Sequence, residues 1–303
     1  MSLNRREFTL GALGALSFTR LAQAGTAADL VMKRAIPSSG ELIPVVGLGT
    51  NRYGVDTSAE ARAPLLDALA RFHAWGGGLI DTAPMYRTSE IVLGDLIAEL
   101  DIMDDVFMAT KTDEEDMSAT EPQMRRSLER LKAAPVDLMQ IHNLRGWKHT
   151  IPMLDAWKKD GRIRYTGITT SRSSQYEELE TILKNHELDF LQINYSLEQR
   201  ESAERLLPLA ADRGVAVIIN RAFGGGRIFR AVGETPLPEW AVEFGCESWA
   251  QFLLKYALSH PATTVVIPGM TKVRHVDDNF GAATTRMPNA SERKQMEAFY
   301  DAL

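Results

Sequence analysis

The feature that most constrains this chain is an alternation. From Val45 onward, eight short apolar runs each give way to a longer segment of helical spacing. The runs are "VVGLG" (45–49), "LIDTA" (79–83), "VFMATKT" (106–112), "VDLMQIHN" (136–143), "YTGITTS" (165–171), "LDFLQINY" (188–195), "VAVIIN" (215–220) and "TTVVIPG" (263–269). β-Branched residues and near-continuous apolarity suit parallel strands covered on both faces. Between them, "SEIVLGDLIAEL" (89–100) places Ile91, Leu93, Leu96, Ile97 and Leu100 along one stripe, with Ser89 as its N-cap. "ESAERLLPLAADRG" (201–214) and "ESWAQFLLKYALSH" (247–260) behave likewise, and "NASERKQMEAFYDAL" predicts a last helix capped by Asn289 or Ser291.

Eight strand-then-helix units predict an α/β fold, a (β/α)8 TIM barrel, of ~250 residues. The chain has 303 residues, and the surplus shows in two places. "MKRAIPSSGELIP" (32–44) predicts an N-terminal hairpin at the barrel bottom, and residues 221–262 hold a long loop with "LPEWAVEF". The C-terminal helix is a further addition. A doubly wound open sheet competes, but no Gly-x-Gly-x-x-Gly follows the first strand. No Pro-, Gly- or Ser-rich boundary divides residues 25–303, so they read as one domain.

Residues 1–24 read differently. "NRREFTLGALGALSFTRLAQA" joins Arg5-Arg6, an apolar stretch from Phe8 to Phe18, and Ala22-Gln23-Ala24. That is the layout of a cleaved signal peptide, and Arg-Arg-x-Phe resembles a twin-arginine signal, which exports folded proteins. A periplasmic or secreted protein with no membrane span after signal removal is expected. A formal charge of -6 offers no basic footprint for nucleic acid. Cys246 is the only cysteine, which excludes an internal disulfide and dithiol chemistry. No metal cluster is read.

Catalytic groups in such barrels gather at the C-terminal strand ends. Those ends carry Asp81, Lys111 and His142, with Tyr86 in the loop after the second strand. Each alone has an ordinary structural explanation. Converging on one mouth, an acid, a phenol, an amine and an imidazole would share a pocket. After the seventh strand, "NRAFGGGRIF" (220–229) offers glycines for close backbone approach to a pyrophosphate, with Arg221 or Arg227 for its charge.

"LIDTAPMY", "FMATKT" and "MQIHN" resemble the active-site segments of the aldo-keto reductase family, and "GLGTNRYG" (47–54), "LQINYS" (191–196) and "VVIPGMTKVRHVDDN" (265–279) match its pattern in order. The resemblance covers residues 33–285. It implies reversible reduction of a small aldehyde or ketone by NADPH, with NAD as the alternative cofactor. It implies that Tyr86 is the general acid and that Lys111 lowers its pKa. Asp81 would orient Lys111, and His142 would hold the carbonyl. It also assigns the nicotinamide end to Gly49, Thr50 and Asn51, and the carboxamide to Thr169, Thr170 and Gln192. Asn220, Arg221, Gly224, Gly225 and Arg227 follow on strand seven and its loop. Lys272, Arg274, Asp278 and Asn279 fall at the adenosine end. The chain departs from the family at Thr169-Thr170 (commonly Ser-Asn), at Asn220-Arg221 (often a stacking tyrosine), at His275 in place of the usual basic residue, and at Arg87, where glycine is usual. Arg87 would stand at the rim, to attract an anion or simply to be solvated. Trp147, Phe223, Phe229 and Trp240 are candidates for the pocket wall.

Two other functions remain open at this stage. One is an exported nucleotide-binding barrel serving as a redox sensor or partner subunit, for which Tyr86 and Lys111 would be superfluous. The other is a barrel lyase or isomerase using Lys111 as a Schiff-base amine, which a charge-holding Asp81 opposes. Export adds a need: the cofactor must be held tightly or recharged, for instance by a protein redox partner.

Overall fold

The computed structural model describes residues 27–303. The expected leader, residues 1–24, lies outside the described residues. A hairpin comes first: β1 (Lys33–Ala35) pairs antiparallel with β2 (Leu42–Pro44). Eight parallel strands follow, β3 (Leu48–Gly49), β4 (Leu79–Asp81), β5 (Phe107–Thr112), β6 (Val136–His142), β7 (Ile163–Thr170), β8 (Phe190–Asn194), β9 (Ala216–Asn220) and β10 (Thr263–Val266). Each pairs with the next in order. Bridges Val46↔Val266 and Gly49↔Gly269 join the first to the last, closing the barrel. The closure explains Gly49, because a Cβ there would meet the Ile267 carbonyl at 2.7 Å.

Strand side chains alternate between faces, and this parity divides the core in two. Facing inward at the lower layers are Leu79, Phe107, Ala109, Leu138, Tyr165, Phe190, Ala216 and Ile218, plugged from below by Ile36 and Ile43 of the hairpin segment. Facing outward are Ile80, Met108, Met139, Ile141, Ile168, Leu191, Ile193, Val217 and Ile219, packed under the helices. The inward series continues along β4–β9 to Asp81, Lys111, Gln140 and His142, Thr169, Gln192 and Asn220. On these six strands the last inward position is polar where the lower layers are apolar, whereas β3 ends in Gly49 and the β10 segment in Val265 and Ile267. The barrel is thus sealed at the bottom and chemically loaded at the top.

The expected helices are present, with local differences. Ser89–Leu100 is helical, but its cap residue is Thr88, which makes no side-chain cap bond. Ser89 instead sends its hydroxyl to the Thr50 carbonyl at 3.1 Å. Ile91, expected in the buried stripe, is 38% exposed, while Glu90, Val92 and Gly94 are buried. Apolarity alone misplaced this face because the helix approaches its neighbour through Gly94. At the other end of the chain Asn289 caps Ala290–Asp301 in a reciprocal capping box with Glu292. "LPEWAVEF" forms a 3-10 turn over Glu239–Phe244.

A Cβ on Gly94 would stand 2.1 Å from the Arg130 carbonyl. Gly94→Ala gains helix propensity of roughly 1 kcal/mol, but it must push two helices apart. A net loss of about 1–3 kcal/mol is expected, read as a lower urea midpoint. A midpoint at or above the parent's would show that the contact yields freely.

Candidate active site

Asp81 ends β4 and Lys111 lies on β5, one strand over, both facing inward. The Lys111 ammonium donates to Asp81 Oδ1 at 2.8 Å, to Asp81 Oδ2 at 2.7 Å and to the Thr82 carbonyl at 2.7 Å. Lys111 is 1% exposed and Asp81 2%. Two amides complete the carboxylate's shell: Gln140 Nε2 reaches Oδ1 and Gln192 Nε2 reaches Oδ2, each at 3.1 Å. The Asp81 backbone is pinned as well, its carbonyl accepting from the Thr50 amide at 3.1 Å and the Thr50 hydroxyl at 2.8 Å. Burial alone pulls the Lys111 ammonium toward neutrality. The Asp81 charge, followed by the Tyr86 phenol, outweighs that pull, so its pKa stands above the ordinary lysine value.

Tyr86 arrives on the loop after β4. Its ring centroid lies 5.3 Å from Lys111 Nζ and 6.1 Å from the His142 ring, which it meets edge-on at 89°. The acid, amine, phenol and imidazole therefore share one place, as the strand-end reading expects. The direction of the phenol's pKa differs from that reading. Burial raises it above its ordinary value of ~10; Lys111 pulls it back, Asp81 opposes Lys111, and the net direction is upward. Lys111 offsets a burial penalty that the sequence could not display. His142 is driven down to about 3, first by burial and then by the positive charges of Lys111, Arg145 and Arg172, so its imidazole is neutral at physiological pH.

These groups open into a cavity of about 720 Å³, within the range of small-molecule sites. Gly49, Thr50, Asn51, Asp81, Tyr86, Lys111, His142, Thr169, Gln192, Asn220, Arg221 and Gly225 of the expected set line it. The others stand outside the lining. Thr170 has the wrong parity: it faces outward, where its hydroxyl bonds Gln175. Gly224 (φ 58°) turns toward Glu198, whose carboxylate would lie 2.3 Å from a Cβ there. Arg227 spends its guanidinium on the same Glu198 in two bonds of 2.8 Å. Asp278 accepts from Ser248 at 2.7 Å and Gln251 at 3.1 Å, and Asn279 is buried on the same helix, Val273–Gly281. Lys272 precedes that helix and Arg274 lies in its first turn; His275 is the member of this group that reaches the cavity.

Of the four aromatic wall candidates, Phe223 and Phe229 line the cavity. Trp147 instead donates to Glu178 at 2.8 Å, and Trp240 packs with Phe244, Phe252 and Phe299. The sequence reading passed over Arg52, Met85, Asn143, Ser171, Gly226, Pro268 and Thr271, which also line it. All follow strand ends, so position was the available signal.

The sequence model of the Aldo/keto reductase family matches residues 45–301. The chain is 25% identical over 307 residues to the uncharacterized oxidoreductase YqkF of Bacillus subtilis (strain 168), covering 88% of this chain and 95% of that one. It is 25% identical to L-galactose dehydrogenase of Arabidopsis thaliana, covering 83% and 88%. A 207-residue stretch, 57% of this chain and 61% of the other, is 27% identical to the NADH-specific methylglyoxal reductase of Escherichia coli (strain K12). Among solved structures, a Klebsiella pneumoniae aldo/keto reductase in complex with NADP and acetate superposes with a TM-score of 0.73 at 24% identity, covering 89% of this chain and 96% of that one.

A buried neutral imidazole refuses a proton that the unfolded chain accepts. His142, and His260 pushed down to about 4 chiefly by burial, both behave so. Their folded pKa values lie below the unfolded value of about 6.5. The unfolding free energy is therefore expected to fall as pH drops from about 6.5 toward 4. Urea midpoints at neutral and acid pH measure the slope, which should be shallower in His142→Gln. An unchanged slope in that variant would remove His142 from the explanation.

Proposed function

Because the chain belongs to the aldo/keto reductase family, we propose that it reduces the carbonyl group of a small aldehyde or ketone to an alcohol, with Tyr86 as the proton donor and NADP(H) as cofactor. It is an NAD(P)H-dependent oxidoreductase. The observation that carries the finer reading is the Lys111–Asp81 pair beside the Tyr86 phenol, with the neutral His142 edge-on to the same ring.

The residues present fit a dinucleotide. Gln192 and Asn220 line the cavity, and each has a buried side-chain oxygen with no partner among the described residues; a carboxamide N–H would satisfy either. Gly225 and Gly226, with φ of 66° and 88°, bring backbone without Cβ to the cavity wall. Arg221 faces the cavity beside them and has no carboxylate partner among the described residues. Lys272, Arg274 and His275 would meet a 2′-phosphate around the start of Val273–Gly281; NAD is the alternative. When bound, the nicotinamide supplies hydride to the carbonyl carbon.

The protein's own work is at the oxygen. The neutral His142 offers an N–H to the carbonyl oxygen and fixes its angle. As negative charge gathers there, the Tyr86 O–H bond breaks and its proton passes to that oxygen. The phenolate left behind faces the Lys111 ammonium, which Asp81 keeps charged. A raised phenol pKa keeps Tyr86 protonated, loaded for reduction, at neutral pH. A sensor that only bound nucleotide would need no buried ammonium beside a phenol, so turnover is the favoured reading. Export of the folded protein by its first 24 residues is proposed with it: replacing Arg5-Arg6 by Lys-Lys should keep the protein in the cytoplasmic fraction, and unaltered fractionation would refute this.

Tyr86→Phe is expected to lower kcat for aldehyde reduction by ~10²–10⁴-fold, with the Kd for NADPH changed less than about twofold. Reduction at the parent rate would remove Tyr86 from the proton-donor role.

A further inference from the structure

Among the described residues, Asp81 is the one carboxylate that lines the cavity, and Lys111, Gln140 and Gln192 already occupy it. Arg52 and Arg221 line the same space without carboxylate partners among the described residues. A chain with formal charge -6 therefore presents a positive mouth. The loop after β9 and the helix after β10 account for a dinucleotide's phosphates through Arg221, Lys272 and Arg274. They leave Arg52 unused.

On the adjoining loop, just outside the cavity lining, is a second unassigned cation. Arg87 follows Tyr86 directly, is exposed, and makes no ion pair with any described residue. Its φ of 58° places it in the left-handed region, a conformation costly for a side-chain-bearing residue and free for glycine. The chain keeps arginine there although glycine would relieve the backbone, and such outliers gather where a function holds them.

The two arginines sit on interlocked loops. A Cβ on Gly54 would meet the Tyr86 carbonyl at 2.3 Å and Arg87 Cβ at 3.0 Å, so the loop carrying Arg52 lies directly against the one carrying Tyr86 and Arg87. Thr88 bonds the Val55 carbonyl, and Ser89 bonds Thr50, fastening the same junction. Near His142, Lys111 and Arg145 have carboxylate partners in Asp81 and Glu115, while Arg172 adds positive charge with no ion pair among the described residues.

We propose that the carbonyl substrate carries an anionic group, a carboxylate or a phosphate, received by Arg52 and Arg87 beside Tyr86. This rests on the reductase reading and narrows it to a substrate class. Arg52 and Arg87 are positioning residues for that group and take no part in proton or hydride transfer.

The test compares succinic semialdehyde with its methyl ester, an acid and a neutral molecule of similar shape, in the parent, Arg52→Gln and Arg87→Gln. A parallel pair, glyceraldehyde 3-phosphate and glyceraldehyde, tells phosphate from carboxylate. At low salt the parent's kcat/KM should favour the charged member of one pair by ~10-fold or more, and each variant should cut that ratio ~3–10-fold, mainly through KM. Added salt should erode the parent's preference. NADPH affinity, followed by protein fluorescence, should shift less than about twofold in either variant. A parent ratio near one for both pairs overturns the anionic substrate while leaving the reductase standing. So does a variant that loses NADPH affinity but keeps the ratio. Reduction of none of the four compounds with NADPH bound counts against the reductase reading and takes this proposal with it.

Discussion

An ammonium and a carboxylate, each almost wholly removed from water, sit at the top of the barrel, and the rest of the mouth is arranged around that pair. Taking such ions out of water costs several kcal/mol each, and removing one partner alone typically costs ~3–5 kcal/mol. Lys111 survives there because three oxygens accept its three protons, two from Asp81 and one from Thr82. Asp81 survives because two glutamines approach from β6 and β8. The neighbouring β6 and the more distant β8 are thereby tied to one charge, which fixes where Tyr86 and His142 can stand.

The same parity that builds the barrel sets its chemistry. Inward positions run from Leu79 to Asp81, from Phe107 and Ala109 to Lys111, and from Leu138 through Gln140 to His142. The apolar layers below exclude water and leave the polar layer at the open end, where a substrate can reach it. Backbone in left-handed conformation collects at that end too, at Arg87, Asn143, Leu144 and Arg221. Rigid walls and strained rims belong to one design, in which the strands hold the reacting groups and the loops choose what meets them.

Much of this was legible in the sequence because strand periodicity and strand-end residues are local properties. The eight runs, the hairpin and the set of Asp81, Tyr86, Lys111 and His142 could be read one segment at a time. What failed was competition between neighbours. Thr170 was one residue out of phase with the inward face. Arg227 had a suitable charge but a nearer partner in Glu198. Ser89 had the chemistry of a cap, yet Thr50 claimed its hydroxyl. Trp240 was absorbed into an aromatic cluster with Phe244 of its own turn and with Phe252 and Phe299 from two other segments. The phenol's pKa failed for a related reason: Lys111 is visible in the sequence, whereas the burial that outweighs it belongs to the fold.

A double-mutant cycle on the buried pair tests the central claim most directly. Urea unfolding of Asp81→Asn, Lys111→Met and the double variant would be measured against the parent. If the two residues form one unit, each single change strands a partner and costs heavily, and the double variant recovers part of that loss, with a coupling in the range of ~0.5–3 kcal/mol. Single losses that simply add in the double variant would mean that the two charges are held independently, contradicting the dependence of the site on their pairing.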